Sequence, residues 1–130
     1  MVYRIFVSHG WTDKWIAQQM ARCIRDAGAE PFIDIHDIKK GDRIEHRIQD
    51  ELPKCSELIV LLTPWSARRN WVWAEVGSAW SQKMRTVGIL YGLASADVEK
   101  EYGGMAVLAP TNCLGLNEFD TYIRELKARI

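Results

Sequence analysis

Residues Leu58–Leu62 read LIVLL, five apolar side chains with no polar break. A strand with one wet face alternates apolar and polar residues, so an unbroken run calls for cover on both faces. Helices packed on either side of a parallel sheet supply that cover, and the rest of the chain has the parts for it. Tyr3–Ser8, Pro31–Ile35, Val87–Tyr91 and a short stretch near Cys113 are strand-like, with helix-like segments between them. The alternation implies right-handed crossovers and one flavodoxin-like α/β domain, residues 1–130, with five parallel strands and helices on both faces.

Local signals set the expected helix limits. Thr12 is placed to cap a first helix with Trp15, Ile16, Met20, Ile24 and Ala27 on its inward face and Gly28 at its close. Asp42 and Glu45 resemble a capping box. Ile44, Ile48 and Leu52 follow at helical spacing until Pro53. A third helix is expected over Ala67–Met84, with Trp73, Val76, Gly77, Trp80 and Met84 on its core face. A short one is expected near Ala96–Tyr102, and a last one from about Glu118. In sheets of this kind ligands sit at the carboxyl ends of the strands, near the reversal of strand order. The loops there are Ser8–Thr12, Asp34–Gly41, Thr63–Asn70 and Gly92–Ser95.

Charge narrows the partners. Lys plus Arg and Asp plus Glu both number 17, a formal net charge of zero. Electrostatic capture of nucleic acid or of an anionic membrane is therefore not expected, whereas self-association meets little repulsion. No apolar stretch approaches the roughly 18 residues that span a bilayer, and the opening MVYRIFVSHG reads as a strand rather than a leader, so a cytoplasmic protein is expected. Cys23, Cys55 and Cys113 form neither a CxxC nor a zinc spacing and are expected to be small buried residues in a reducing compartment.

Several chemistries lack their signatures. No GxGxxG or GxxxxGK[ST] is present. A phospho-accepting receiver needs acidic residues at the end of its first strand, where this chain has Ser8 and His9. Ser8, His9 and Asp34 make a poor hydrolase triad, because neighbours on a strand point to opposite faces. Asp34, Asp37 and Asp42 lack the D-x-[DN]-x-[DN]-G order of a calcium loop, and no metal site is expected. The most informative segment is PWSARRNWVWAEVGSAW, residues 64–80. Trp71 and Glu75 stand four apart, on a stripe separate from the expected core face. A carboxylate beside an indole can hold a sugar diol while the ring stacks. The same spacing also suits a surface glutamate next to a half-buried tryptophan.

Taken together, these segments resemble a Toll/interleukin-1 receptor (TIR) domain of the stand-alone bacterial type, over essentially the whole chain. RIFVSHG is similar to the family's first strand. GAEPFIDIHDIKKGDRI is similar to its second strand and following loop, with Phe32, Asp34, Gly41 and Asp42 in the family's places. ELIVLLTPWSARRNWVWAEVGSAW is similar to its third strand and W-x-x-x-E helix. Arg69 departs from the family's usual Ser, and residues 92–116 match poorly.

The resemblance implies one of two functions. Some members are non-enzymatic adaptors that signal by TIR–TIR binding. Others cleave NAD to nicotinamide and ADP-ribose or a cyclic isomer, are active on self-assembly, and serve defence or cell-death signalling. A glutamate at the place of Glu75 is their catalytic residue, which favours the enzyme here. By the same resemblance Ser8, His9, Trp11, Phe32, Asp34 and Trp71 are expected to bind substrate. Asp37, Lys39, Lys40, Gly41, Asp42 and Arg43 are expected to form an assembly loop. NAD is then the substrate, with no metal or redox cofactor, and other copies or other TIR domains are the partners. The chemistry suits one carboxylate. Nicotinamide leaves as a neutral base, the transition state is oxocarbenium-like, and a carboxylate of ordinary pKa, roughly 4.3, is charged at neutral pH.

Overall fold

Strand β3, Glu57–Leu62, takes the central place its composition demands. All six residues are buried, and it pairs in parallel with β1 (Arg4–Ser8) on one side and β4 (Arg85–Leu90) on the other. In this computed structural model, which describes residues 2–33, 50–100 and 112–130, β2 (Glu30–Ile33) lies outside β1 and β5 (Cys113–Gly115) outside β4. The order is β2-β1-β3-β4-β5, every pair parallel, so the direction of winding reverses between β1 and β3. Helices α1 (Lys14–Asp26), α2 (Asn70–Ser81), α3 (Ser95–Lys100) and α4 (Phe119–Arg129) interleave with the strands.

The pleat divides the core in two. Phe6, Leu58, Val60 and Leu62 face α2 and Val98 of α3, together with Ala67, Val72, Val76 and Ala79. Ile5, Val7, Ile59 and Leu61 face the other way, onto Ala17, Met20 and Ile24 of α1 and Phe119, Tyr122 and Leu126 of α4. Helices thus cover both faces, which is why LIVLL needs no polar residue. Burying one such side chain contributes roughly 1.5–3 kcal/mol. Against a total of about 5–15 kcal/mol for a domain, the loss of one such side chain from Leu58–Leu62 removes a large share of the stability.

Two helix phases differ from the sequence expectation. Helix α1 starts at Lys14, after a 3-10 turn over Trp11–Asp13, and Thr12 is not its cap. Its inward stripe is Ala17, Met20, Ala21 and Ile24, while Trp15 is 69% exposed. Gly28, in the left-handed region at φ +101°, does close it, as expected. In α2 the buried stripe is Val72, Glu75, Val76 and Ala79, and Trp80 is 62% exposed. Valine and alanine let this helix approach the sheet closely. Trp73 is displaced to the margin, where its indole N–H donates to the Ala67 carbonyl at 2.8 Å. The cysteines also differ: Cys23 is exposed and Cys55 and Cys113 are only half-buried, because residue 23 falls off the α1 stripe.

The helix expected from Asp42 lies mostly outside the described residues. Asp50 and Glu51 are helical, and Leu52–Lys54 then form a 3-10 turn carrying Pro53, with Leu52 fully buried. Among the described residues no helix is long and apolar enough to cross a membrane.

The amino end of β3 holds a buried charge cluster. Glu57, fully buried, accepts hydrogen bonds from the hydroxyls of Tyr3 at 2.5 Å and Tyr122 at 2.7 Å, and from Arg129 at 3.0 and 3.1 Å. Burial, then the Glu57 charge and hydrogen bond, push the Tyr122 hydroxyl well above its ordinary value. The cluster ties the chain start and α4 to the central strand.

Candidate active site

At the carboxyl end of the sheet β1 stops early. Its register runs to Ser8 opposite Val60, while β3 continues through Leu61 and Leu62 beside β4. The chain leaving β1 therefore turns across a step, and it lies against the loop that follows β3. Gly10 is needed there, since a Cβ would sit 3.0 Å from the Ser66 Cβ and 3.1 Å from its Cα.

Beside this contact lies a buried polar knot. The Thr63 hydroxyl donates to Asp13 Oδ2 at 2.6 Å and accepts from the Ser66 N–H at 3.1 Å. The Ser66 hydroxyl accepts from the Thr63 N–H at 2.8 Å and donates to the Leu61 carbonyl at 2.8 Å. Asp13, Thr63 and Ser66 are all buried. Breaking one of these contacts would strand a buried polar group, which costs about 1–3 kcal/mol, so the knot fixes the two loops against each other. Sequence reading missed all three residues. The T-x-x-S spacing before α2 is a turn signal that could have indicated two of them. Asp13 reads as an ordinary helix start.

Onto this frame the expected site residues fall as follows. Ser8 is 1% exposed, and its hydroxyl has no hydrogen-bond partner among the described residues. Buried hydroxyls are nearly always bonded, so it is a group with capacity left for a ligand or for the chain beyond β2. By strand alternation Ser8 shares the face of Phe6, the α2 face. Phe32 packs on that face too, its ring 5.3 Å from that of Phe6. Trp71 is half-buried against the same cluster, with the Arg69 guanidinium 5.7 Å from its ring centre. Glu75 stands one turn further along α2.

Glu75 differs most from expectation. It is not on a stripe apart from the core: it lies between Val72 and Ala79 on the inward face and is 7% exposed. The helix starts at Asn70, and its small residues turn this stripe toward the sheet. Ser8, Phe32, Trp71 and Glu75 are thus gathered on one side of the sheet. His9, 8% exposed, and Trp11, 75% exposed, follow the chain toward α1 instead. Asp34 and the expected assembly loop, Asp37, Lys39, Lys40, Gly41, Asp42 and Arg43, lie outside the described residues. Among the described residues no group of three or more His, Cys, Asp or Glu is placed to hold a metal ion.

A cavity of about 540 Å³ opens at the opposite end of the sheet, by the amino ends of β4 and β5. It includes none of these residues, so the pocket size and the chemical constellation do not coincide.

The family model described as TIR domain matches residues 5–126. The chain is 29% identical over 83 residues to the 2′ cyclic ADP-D-ribose synthase BtTIR of Bacteroides thetaiotaomicron, covering 63% of this chain and 29% of that one. It is 32% identical over 73 residues to the NAD(+) hydrolase PdTIR of Paracoccus denitrificans, covering 55% and 24%. The chain therefore spans less than a third of the length of either relative. Among solved structures, the TIR domain of the Toll-related receptor TRR-2 of Hydra magnipapillata superposes with a TM-score of 0.65 at 17% identity, over 98% of this chain and 94% of that one. That likeness is one of fold.

Proposed function

The chain belongs to the TIR-domain family, and from that premise we propose that it cleaves the nicotinamide–ribose bond of NAD, releasing nicotinamide and ADP-ribose or a cyclic isomer. The observation that carries the reading is the Glu75 carboxylate, buried in α2 on the sheet face that also holds the Ser8 hydroxyl, Phe32 and Trp71. The activities of the bacterial relatives support it.

In this reading Glu75 accepts hydrogen bonds from the ribose hydroxyls and faces the carbon whose bond breaks. The C–N electron pair departs with nicotinamide, which is cationic while bound and neutral once free, so no acid has to protonate it. Positive charge builds on the ribose carbon and ring oxygen, and a fixed carboxylate in a poorly hydrated site stabilises it strongly. Water then adds to that carbon and loses a proton to solvent to give ADP-ribose, or a hydroxyl of the same molecule adds with the same loss of a proton to give the cyclic isomer. Trp71 packs along the ribose and Phe32 against the pyridine ring. Ser8 donates from the floor, with His9 and Trp11 at its margin and Asp34 beyond β2. The reaction transfers no electrons, and NAD is the substrate rather than a cofactor. Activity depends on self-association through residues 37–43, in the cytoplasm, in keeping with a defence or cell-death signal.

The test is to incubate concentrated protein with NAD and follow nicotinamide by chromatography, beside Glu75→Gln. The substitution keeps the shape and removes the charge. We expect a folded variant with nicotinamide release lower by at least ~100-fold, the scale of one lost preorganised contact to a transition state. Wild-type protein that releases no nicotinamide yet binds other TIR domains would establish the adaptor reading instead.

A further inference from the structure

The cavity lies at the amino ends of β4 and β5, one length of β4, roughly 17 Å, from that strand's carboxyl end. Its 540 Å³ falls within the range of small-molecule sites. Three features separate it from a casual surface dimple. Trp80, in the last turn of α2, leaves 62% of its surface in solvent on the cavity wall rather than packing into the core. Lys83, which follows α2, holds a left-handed backbone at φ 56°, the place where glycine is usual. Strain of this kind concentrates at ligand sites. Finally, Lys83 and Arg85 share the wall with Glu125 of α4 and Asn112, which joins two cations, one carboxylate and an amide around an indole.

We propose that this cavity binds a nucleoside monophosphate, at a site separate from the NAD-cleaving one. The base stacks on Trp80, as bases do on exposed aromatic rings. The phosphate takes charge-assisted hydrogen bonds from Arg85 and Lys83. The ribose hydroxyls donate to Glu125, and the Asn112 amide is available to the base edge. The spare positive charge of the wall suits a ligand with one phosphate. The site does not depend on NAD cleavage, because binding is scored without turnover.

The probe is AMP, titrated into the protein by calorimetry, with inorganic phosphate as comparison. One AMP per chain is expected, with affinity at least tenfold weaker in Trp80→Ala and in Arg85→Gln and unchanged in Glu75→Gln. Both altered side chains are exposed, and circular dichroism checks their folding. Lys83→Gly, which relaxes the backbone, gives a third variant expected to bind more weakly with its fold secure. No saturable AMP binding at millimolar concentration overturns the proposal. So does binding that survives all three cavity variants but fails in Trp71→Ala, which would put AMP in the strand-end site. Phosphate binding as tightly as AMP, in wild type and Trp80→Ala alike, reduces the cavity to a bare anion site and also overturns it.

Discussion

Lys83 shows how one residue can carry a structural penalty. Its N–H donates to the Trp80 carbonyl at 3.0 Å, and that of Met84 to the Ala79 carbonyl at 2.9 Å. This pair of bonds ends a helix in a left-handed residue, ordinarily glycine. A side chain there costs about 1 kcal/mol of backbone strain, partly offset by a cation near a helix carboxyl end. Lys83→Gly should therefore raise the unfolding free energy by about 0.5–1 kcal/mol in urea titration while weakening AMP binding. A loss of stability would mean that the lysine makes a structural contact outweighing the strain. Glu75 makes the complementary point about legibility. The spacing Trp71–Glu75 was visible in the sequence, but its burial was not, because that depends on which face of α2 meets the sheet. The knot of Asp13, Thr63 and Ser66 was illegible for a similar reason: Asp13 and Thr63 are fifty positions apart, and only the step at the end of β1 brings them together.

Among the elements, β3 was the most legible and α2 the least. A continuous apolar run has no phase to misjudge, so its central place followed directly from LIVLL. A helix with seven apolar residues in twelve offers several candidate stripes, and neighbouring strands choose between them. Here the Val72–Val76–Ala79 stripe prevails over the tryptophans because its side chains fit the close approach to β3 and β4.

The attachment of α4 to β3 through Glu57 carries a prediction about pH. In the fold the Tyr122 hydroxyl is held neutral above its ordinary 10.0, by burial first and by Glu57 second; the Tyr3 hydroxyl shifts the same way, again by burial and then Glu57. In the unfolded chain these groups ionise near 10. Their contribution is complete below that pH and is lost as pH rises through 10 toward the folded values, by up to about 1.4 kcal/mol per pH unit for each group. Urea unfolding at pH 8 and pH 11 should show this loss in wild type. Tyr122→Phe should be less stable at pH 8 by about 1.5–3 kcal/mol, the range for a hydrogen bond to a charged group, and should lose less on going to pH 11. An equal loss in both proteins would place the alkaline weakness elsewhere.

At the scale of the whole molecule the question is whether one chain is enough. The formal charge is zero, so copies meet without net repulsion. The exposed indoles of Trp11, Trp15 and Trp65 add apolar surface. Residues 37–43, DIKKGDR, combine opposite charges with Gly41 in a stretch suited by composition to an exposed turn. Two copies can match the acidic and basic side chains of such a stretch against each other, and in sequence it follows β2. We expect nicotinamide release per molecule to climb with protein concentration and to level off once sedimentation shows the chain assembled. Gly41→Pro restricts the turn, and Asp42→Ala removes one of its charges. Each should lower assembly and activity together, by at least ~10-fold at a fixed concentration, where 10-fold corresponds to about 1.4 kcal/mol of association energy. Because Asp42 is also a candidate helix cap worth ~1 kcal/mol, its variant has to be shown folded before its activity is compared. Activity per molecule that stays flat with concentration, in wild type and in both variants, would mean that a single chain holds a complete active site and that the loop has no part in it.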